Sequence, residues 1–204
     1  MNPLNNHRQS LILGIVLAIV VALALAAVRG DISFNHLAFA RWLHIVAGVF
    51  WIGLLYYFNA VQVPALAVAA ADQGGPGGAG ITKYVAPRAL FWFRWAALVT
   101  WIAGAWLLGP KFVPAFTLGL ADGEPGVNIS LLTIGIGAWL GTIMLLNVWG
   151  LIWPNQKKIL GLKPASDAEK AQARKVALYA SRINFVLSIP MLLCMAATTH
   201  QLPF

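Results

Sequence analysis

Five apolar runs of membrane-spanning length dominate the sequence. They cover residues 10–28, 37–65, 89–109, 129–153 and 183–199. A helix needs roughly 20 apolar residues to cross a hydrocarbon core about 30 Å thick, and each run reaches or nearly reaches that length. Only 10% of the residues are charged, whereas soluble domains average about 25%. The sequence therefore predicts an all-α integral membrane protein, a bundle of five transmembrane helices in a single membrane domain over residues 1–204.

The distribution of lysine and arginine predicts which helix ends face the cytoplasm. Between the fourth and fifth runs lie Lys157, Lys158, Lys163, Lys170, Arg174, Lys175 and Arg182, and between the second and third lie Lys83 and Arg88. The opposite side has only Arg29, Arg41 and Lys111. Because cytoplasmic loops are enriched in basic residues, we expect a cytoplasmic N-terminus and a periplasmic C-terminus. The net charge of +8 then reflects topology in a lipid bilayer and not nucleic-acid binding.

The basic segment 154–182 contains a helix start signal. Ser166 is followed three residues later by Glu169, the spacing of a capping box. The pattern predicts an amphipathic cytoplasmic helix that leads into the last span. Pro190 lies inside that span, where we expect it to bend or locally break the helix.

One face of the second span is polar at both ends. Residues three or four apart lie on the same face of a helix, and here they are His44, Gly48, Trp51, Leu55, Asn59 and Gln62. That face should point into the bundle, because a polar group in contact with lipid has no hydrogen-bond partner. His44 is predicted near the outer end and Asn59 about 22 Å further along, near the inner end.

At the inner end, Asn59 is predicted to form a polar network with Arg94, Asn147 and Asn184, which fall at the same depth in the third, fourth and fifth spans. Arg94 has two interpretations. Its long side chain either extends to the cytoplasmic surface or is buried as the partner of an anionic group.

At the outer end, His44 and His200 form a candidate pair of axial ligands for haem b. Gly48, one turn from His44, would leave room for a flat macrocycle, and Arg41 could bind a propionate. The alternative is that both histidines are interfacial residues and that Gly48 serves helix contact. A copper or iron site from His36, His44 and His200 is a further alternative, although Asp31 is the only carboxylate near it.

Other chemistry has little support in the residues. Cys194 is the single cysteine, so no disulfide and no CxxC motif can form. The acidic residues lie in loops or at span ends, which argues against a hydrolase and against an ion transporter with a membrane-embedded acid. Gly137 with Gly141, and Gly104 with its flanking alanines Ala103 and Ala105, are predicted to be helix-packing seams.

Several stretches resemble a known family. RWLHIVAGVFWIGLLYYFN, KYVAPRALFWFRWAALVTWIAGAWLL, MLLNVWGLIWPNQKKIL and ASRINFVLSIPMLL follow one another between residues 37 and 204. Together they resemble the membrane domain of bacterial urate hydroxylases, the urate oxidase N-terminal family, in a short stand-alone form that lacks the cytochrome c domain. The resemblance implies a multi-pass protein of the bacterial inner membrane.

The chain departs from the urate-oxidising members at positions that matter for chemistry. Where those members have an acid after the FWFRW-like motif, this chain has Ala96 and Ala97, and YASRIN offers only Asn184 where they have a histidine–asparagine run. The histidine that precedes the glycine-rich loop in those members is also missing from ADQGG. Hydroxylation needs acid–base groups, so we do not expect urate oxidation here, and the catalytic residues stay unknown.

Two functional hypotheses follow. The first is a small subunit of a larger bioenergetic complex, respiratory or photosynthetic, that contacts other membrane subunits and has a structural or assembly role. The alternative is a haem b redox protein, an oxidoreductase if it is enzymatic, that passes electrons to a periplasmic cytochrome c or exchanges them with a quinone. The residues favour the subunit, because aromatic side chains and small-residue seams are abundant while reactive groups are few.

Overall fold

The computed structural model describes residues 2–120, 126–200 and 203, with residues 198–200 as backbone only. All regular secondary structure in these residues is helical. Five helices are long and apolar enough to cross a membrane: His7–Arg29, His36–Ala71, Ile81–Phe116, Ile129–Ile159 and Asp167–Ala197. The predicted all-α class and the five spans are therefore confirmed, and the cytoplasmic position of the N-terminus stays a prediction.

The chain divides into two units, Met1–His36 and Leu37–Phe204. The first unit contains helix α1 (His7–Arg29). Asn6 caps its start, since the side-chain oxygen accepts the backbone N–H of Arg8 at 2.9 Å. Gly30 ends it in the left-handed conformation, with φ of 74°. No residue of α1 is buried, which fits the uniformly apolar composition of residues 11–28.

The second unit is built from four long helical rods. The first rod joins α2 (His36–Tyr56) to α3 (Val63–Ala71). The second joins α4 (Ala86–Leu108) to the short α5 (Phe112–Phe116). The third joins α6 (Ile129–Leu146) to α7 (Trp153–Ile159), and the fourth is α8 (Asp167–His200). The rods exceed the predicted spans at several ends because polar and small residues continue the helices beyond the apolar runs.

Each of the first three rods contains a π-helical segment directly before a proline. The segments are Tyr57–Gln62, Ile81–Val85 and Asn147–Ile152, and they precede Pro64, Pro87 and Pro154. Proline has no N–H to donate, and its ring clashes with the carbonyl four residues earlier. In all three cases that carbonyl lies inside the π-helical segment, whose wider turn relieves the clash without ending the helix.

Helix α8 begins at the predicted capping box. The Ser166 backbone N–H donates to Oε2 of Glu169 at 2.8 Å, and the Glu169 N–H donates to Oγ of Ser166 at 3.2 Å. From Asp167 the helix runs without interruption to His200, through Pro190. Of the bend or local break predicted at Pro190, the break is wrong, because a membrane helix tolerates the single lost hydrogen bond within its packed surroundings; the bend stays a prediction. The amphipathic, cytoplasmic character of its first turns stays a prediction.

The core of the second unit lies midway along the rods. Trp51 and Leu55 of α2, Phe93 and Ala97 of α4, and Met144 of α6 are all at most 2% exposed and pack against one another. Trp51 and Leu55 belong to the polar face predicted for the second span, so the middle of that face packs in the hydrophobic core. Toward one end of this core lies an apolar cavity, and toward the other lie the buried asparagines.

Candidate functional site

A cavity of about 540 Å³ lies among helices α2, α4, α5, α6 and α8. This volume is in the range of sites that bind small molecules and cofactors. Its walls are almost entirely apolar, and the side chains with polar atoms are His44, Trp51, Thr100 and Trp101. Two of these are already engaged within the protein: the Thr100 hydroxyl donates to the Ala96 carbonyl at 2.7 Å, and the Trp101 indole donates to Thr142 at 2.8 Å.

Among the described residues that line the cavity, His44 is the titratable side chain. A contact through one of its two ring nitrogens fixes its orientation. Its Nδ1 lies 2.8 Å from the backbone carbonyl oxygen of Thr100 on α4. A carbonyl oxygen can only accept, so the neutral ring must hold its proton on Nδ1. The other nitrogen, Nε2, then has a free lone pair and has no hydrogen-bond partner among the described residues. A histidine held in this way can bind a metal or accept a proton.

Gly104 makes this position of His44 possible. A Cβ atom at residue 104 would lie 2.9 Å from Cε1 and 3.0 Å from Nδ1 of His44. The sequence assigned Gly104 to a packing seam and missed its relation to the histidine. The available signal was its spacing of one helical turn from Thr100, but the partner on α2 is visible only in three dimensions.

The other predicted haem-site residues have different surroundings. Gly48 lines the cavity, and a Cβ there would meet Thr100 at an ordinary 3.7 Å. Arg41 is exposed and is not among the cavity-lining residues. The side chain of His200 lies outside the described residues, so its pairing with His44 stays a prediction.

The structure also brings to the cavity groups that the sequence did not assign to the haem site. The Trp51 indole lines the cavity, is 2% exposed, and its Nε1 has no hydrogen-bond partner within the described part of the chain. Met191 and Met195, one turn apart on α8, line the same cavity. Thioether sulfurs are known haem-iron ligands, so α8 offers donor atoms even without its terminal histidine.

A three-ligand metal site is not formed by the described residues, where no group of three or more His, Cys, Asp and Glu side chains could hold an ion. His36 is exposed at the start of α2. Asp31, the carboxylate near it in sequence, accepts the backbone N–H of Ser33 at 2.8 Å, and this hydrogen bond lowers the pKa of the carboxyl below its ordinary value.

The structure does not join the four residues of the predicted inner network into one cluster. Asn147 and Asn184 contact each other, whereas Asn59 and Arg94 each have a separate partner. Asn147 donates to Oδ1 of Asn184 at 2.8 Å, and Asn184 donates to the Met144 carbonyl at 2.9 Å. Asn59 donates to Ser181 of α8 at 2.9 Å. Asn59 and Asn147 each lie in a π-helical segment. The Asn59–Ser181 and Asn147–Asn184 contacts therefore both join α8 to such a segment, one turn apart on α8. The segments of unusual backbone thus coincide with the buried amides.

Arg94 does not join these amides. Its guanidinium carbon lies 3.8 Å from the centroid of the Trp153 ring and 5.4 Å from that of Phe91. The side chain therefore stacks on Trp153 at the start of α7 and lies near Phe91 of its own helix α4.

Comparison with known proteins agrees with part of the resemblance noted from the sequence. The family model described as urate oxidase N-terminal matches residues 131–204. No curated protein and no solved structure matches the chain. The matched region contains α6, α7 and α8, and so includes Met191, Met195 and both asparagines of the Asn147–Asn184 contact. Over residues 131–204 the chain is similar to the urate oxidase N-terminal family.

Proposed function

We propose that this chain is a membrane redox protein that binds haem b in the cavity between α2, α4, α6 and α8, where His44 would hold the iron. The observation that supports it most directly is the 2.8 Å contact between Nδ1 of His44 and the Thr100 carbonyl oxygen. Ligating histidines commonly donate their second ring N–H to a backbone carbonyl, which fixes the tautomer and makes the free nitrogen a better ligand.

The residues present fit the group in size and in polarity. A cavity of about 540 Å³ with apolar walls suits the hydrocarbon faces of a porphyrin. Gly48 and Gly53 of α2, Gly104 of α4 and Gly141 of α6 line it and keep the walls free of side chains. A subunit with only a packing role would gain stability by filling such a space, because voids forfeit dispersion contacts.

A second residue that would hold the group would come from α8. His200 is the residue expected from the sequence, and the thioethers of Met191 and Met195 are the alternatives that line the cavity. Bound haem b would supply one-electron transfer at a potential set by its ligands and by burial. In this proposal His44 holds the iron, the Thr100 carbonyl holds His44, and the apolar walls exclude water.

The proposed electron partners are a periplasmic cytochrome c and a membrane quinone. A role as a subunit of a respiratory or photosynthetic complex is compatible with haem binding and stays a prediction. Its test is whether a tagged chain, solubilised gently from its native membrane, copurifies with other membrane subunits in constant proportion.

The decisive experiment is the reduced-minus-oxidised visible spectrum of the full chain, purified from haem-replete cells. We expect a b-type band in the wild-type protein and its loss in His44→Ala. The matched control is His36→Ala, which removes a histidine from the exposed start of the same helix and should leave the band unchanged. His200→Ala, Met191→Leu and Met195→Leu then identify the second ligand by a change in the position of the band.

The absence of a haem band in folded wild-type protein would overturn the proposal. So would a band of equal intensity in wild-type and His44→Ala protein, since haem would then be held elsewhere. In either case the cavity would still need an occupant, and extraction of bound quinone or lipid from the purified chain would be the next measurement.

A further inference from the structure

Two cationic side chains approach the same indole ring at the end of the second unit opposite the cavity. Arg94 of α4 stacks over Trp153 of α7 with 3.8 Å between its guanidinium carbon and the ring centroid. Lys157, one turn further along α7, has its Nζ 5.9 Å from the same centroid. All three side chains are partly buried. The two cations therefore share one aromatic partner at a partly buried position.

No negative charge in the described residues balances this pair. Neither Arg94 nor Lys157 forms an ion pair there, and the carboxylate nearest in sequence to Lys157, Asp167, lies 3.7 Å from Lys170. Lys158 and Lys163 lie in the same segment, and the Glu169 carboxylate is close enough to interact with both of them. Converging cations without a carboxylate are unfavourable unless an anion binds between or beside them.

The stacking of Arg94 leaves its hydrogen-bonding edge unused. A guanidinium that lies on an aromatic face presents its N–H groups in its own plane, away from the ring. No described residue accepts a hydrogen bond from Arg94. A planar fork of donors with no acceptor matches the oxygens of a phosphate, which arginine binds through two parallel hydrogen bonds.

We propose that Arg94, Trp153 and Lys157 form a binding site for a phosphate group, supplied by the headgroup of an anionic membrane lipid. Trp153 fixes the guanidinium, Arg94 supplies the paired donors, and Lys157 supplies the second positive charge. The location supports a lipid as the source, because Arg94 lies only five residues beyond Ala89, where the apolar run of the third span begins. Basic pockets between membrane helices bind lipid headgroups in this way. This inference is independent of haem binding.

The test is a titration of the full chain in detergent with phosphatidylglycerol and, separately, with phosphatidylcholine, with bound lipid counted by native mass spectrometry. We expect the wild-type chain to prefer phosphatidylglycerol and Arg94→Gln to bind it roughly tenfold or more weakly. The matched control is Arg88→Gln, on the same helix, whose guanidinium already donates to the Tyr84 carbonyl at 2.8 Å. Loss of the Arg88 charge should weaken the binding of phosphatidylglycerol by about fivefold or less.

Two further variants keep the test valid if Arg94→Gln folds poorly. Arg94→Lys retains the charge but loses the planar fork and should still weaken binding, whereas Lys157→Gln removes the second cation without touching the stack. A second arm replaces lipid by inorganic phosphate and follows thermal unfolding. Arg94-dependent stabilisation by phosphate, without a lipid preference, would support the phosphate site with a soluble source. Equal losses in Arg94→Gln and Arg88→Gln, or no response to either ligand, would overturn the proposal.

Discussion

The imidazole of His44 on α2 fills the space that a side chain at Gly104 on α4 would need, since a Cβ atom on residue 104 would lie 2.9 Å from Cε1 of the ring. The histidine can reach the Thr100 carbonyl only because residue 104 has no side chain. Among the described residues His44 is the imidazole that lines the cavity, and its position depends on a residue of another helix.

Gly104→Ala should displace His44 and break its hydrogen bond to Thr100. We expect a loss of about 1–3 kcal/mol in the free energy of unfolding, the usual cost of overpacking a fitted contact, together with weaker haem retention. Gly53→Ala is the matched control, because Gly53 also lines the cavity but a Cβ there meets nothing within 4 Å. Equal stability of the two variants would show that His44 is not held where the structure places it.

Gly135→Ala should be more damaging than Gly141→Ala, although the GxxxG pattern favours the opposite. A Cβ at Gly135 would overlap the Ala115 carbonyl oxygen, which is backbone and cannot move aside, whereas a Cβ at Gly141 meets nothing within 4 Å. We expect about 1–3 kcal/mol of destabilisation for Gly135→Ala and almost none for Gly141→Ala. Thermal unfolding of both purified variants checks the prediction, and a larger effect at Gly141 would contradict it.

Asn184→Ala should destabilise the contact between α6 and α8. Asn184 is 0% exposed, and its removal leaves the Asn147 side-chain amide without its partner, whereas the Met144 carbonyl still accepts the backbone N–H of Asn147. Each orphaned buried group costs about 1–3 kcal/mol in water-soluble proteins, and interhelical hydrogen bonds in membranes average nearer 0.6 kcal/mol, so we expect about 1–2 kcal/mol in total.

Asn155→Ala is the control for that variant, because Asn155 donates only to the Leu151 carbonyl within its own helix and near the surface. Its unfolding midpoint should match that of the wild type. If Asn184→Ala unfolds at the same temperature as Asn155→Ala, the buried amides contribute nothing to the joining of α6 and α8.

Ser166→Ala should loosen the first turn of α8. The variant loses the hydroxyl that accepts the Glu169 N–H, and loss of such a cap costs about 1 kcal/mol. Hydrogen exchange of the first-turn amides should accelerate while the rest of α8 is unaffected. Lys170→Ala, which removes only the exposed 3.7 Å ion pair with Asp167, should change stability by less than about 0.5 kcal/mol. Comparable exchange in both variants would argue against the capping box.

Features that depend on neighbours along the chain were predictable from the sequence. The spans followed from run length, and the start of α8 followed from the Ser166 and Glu169 spacing. The placement of Asn147 near Asn184 followed from equal depth in two spans. The local break expected at Pro190 was wrong, because a local rule about proline was applied to a helix whose packing tolerates it. The π-helical segments went unnoticed, although Pro64, Pro87 and Pro154 were visible.

The sequence by itself determined that this protein consists of apolar helices, because the membrane requires every backbone group to be satisfied within a helix and so reduces the fold to run lengths. It also indicated which face of α2 is polar. Only the tertiary structure decided that Thr100 and Gly104 of α4 hold His44 and that Trp153 receives Arg94. It also decided that Gly135, and not Gly141, is the glycine of α6 at which a Cβ atom would collide with the backbone of α5. Contacts between helices depend on rotation and axial offset, which no periodicity within one helix specifies.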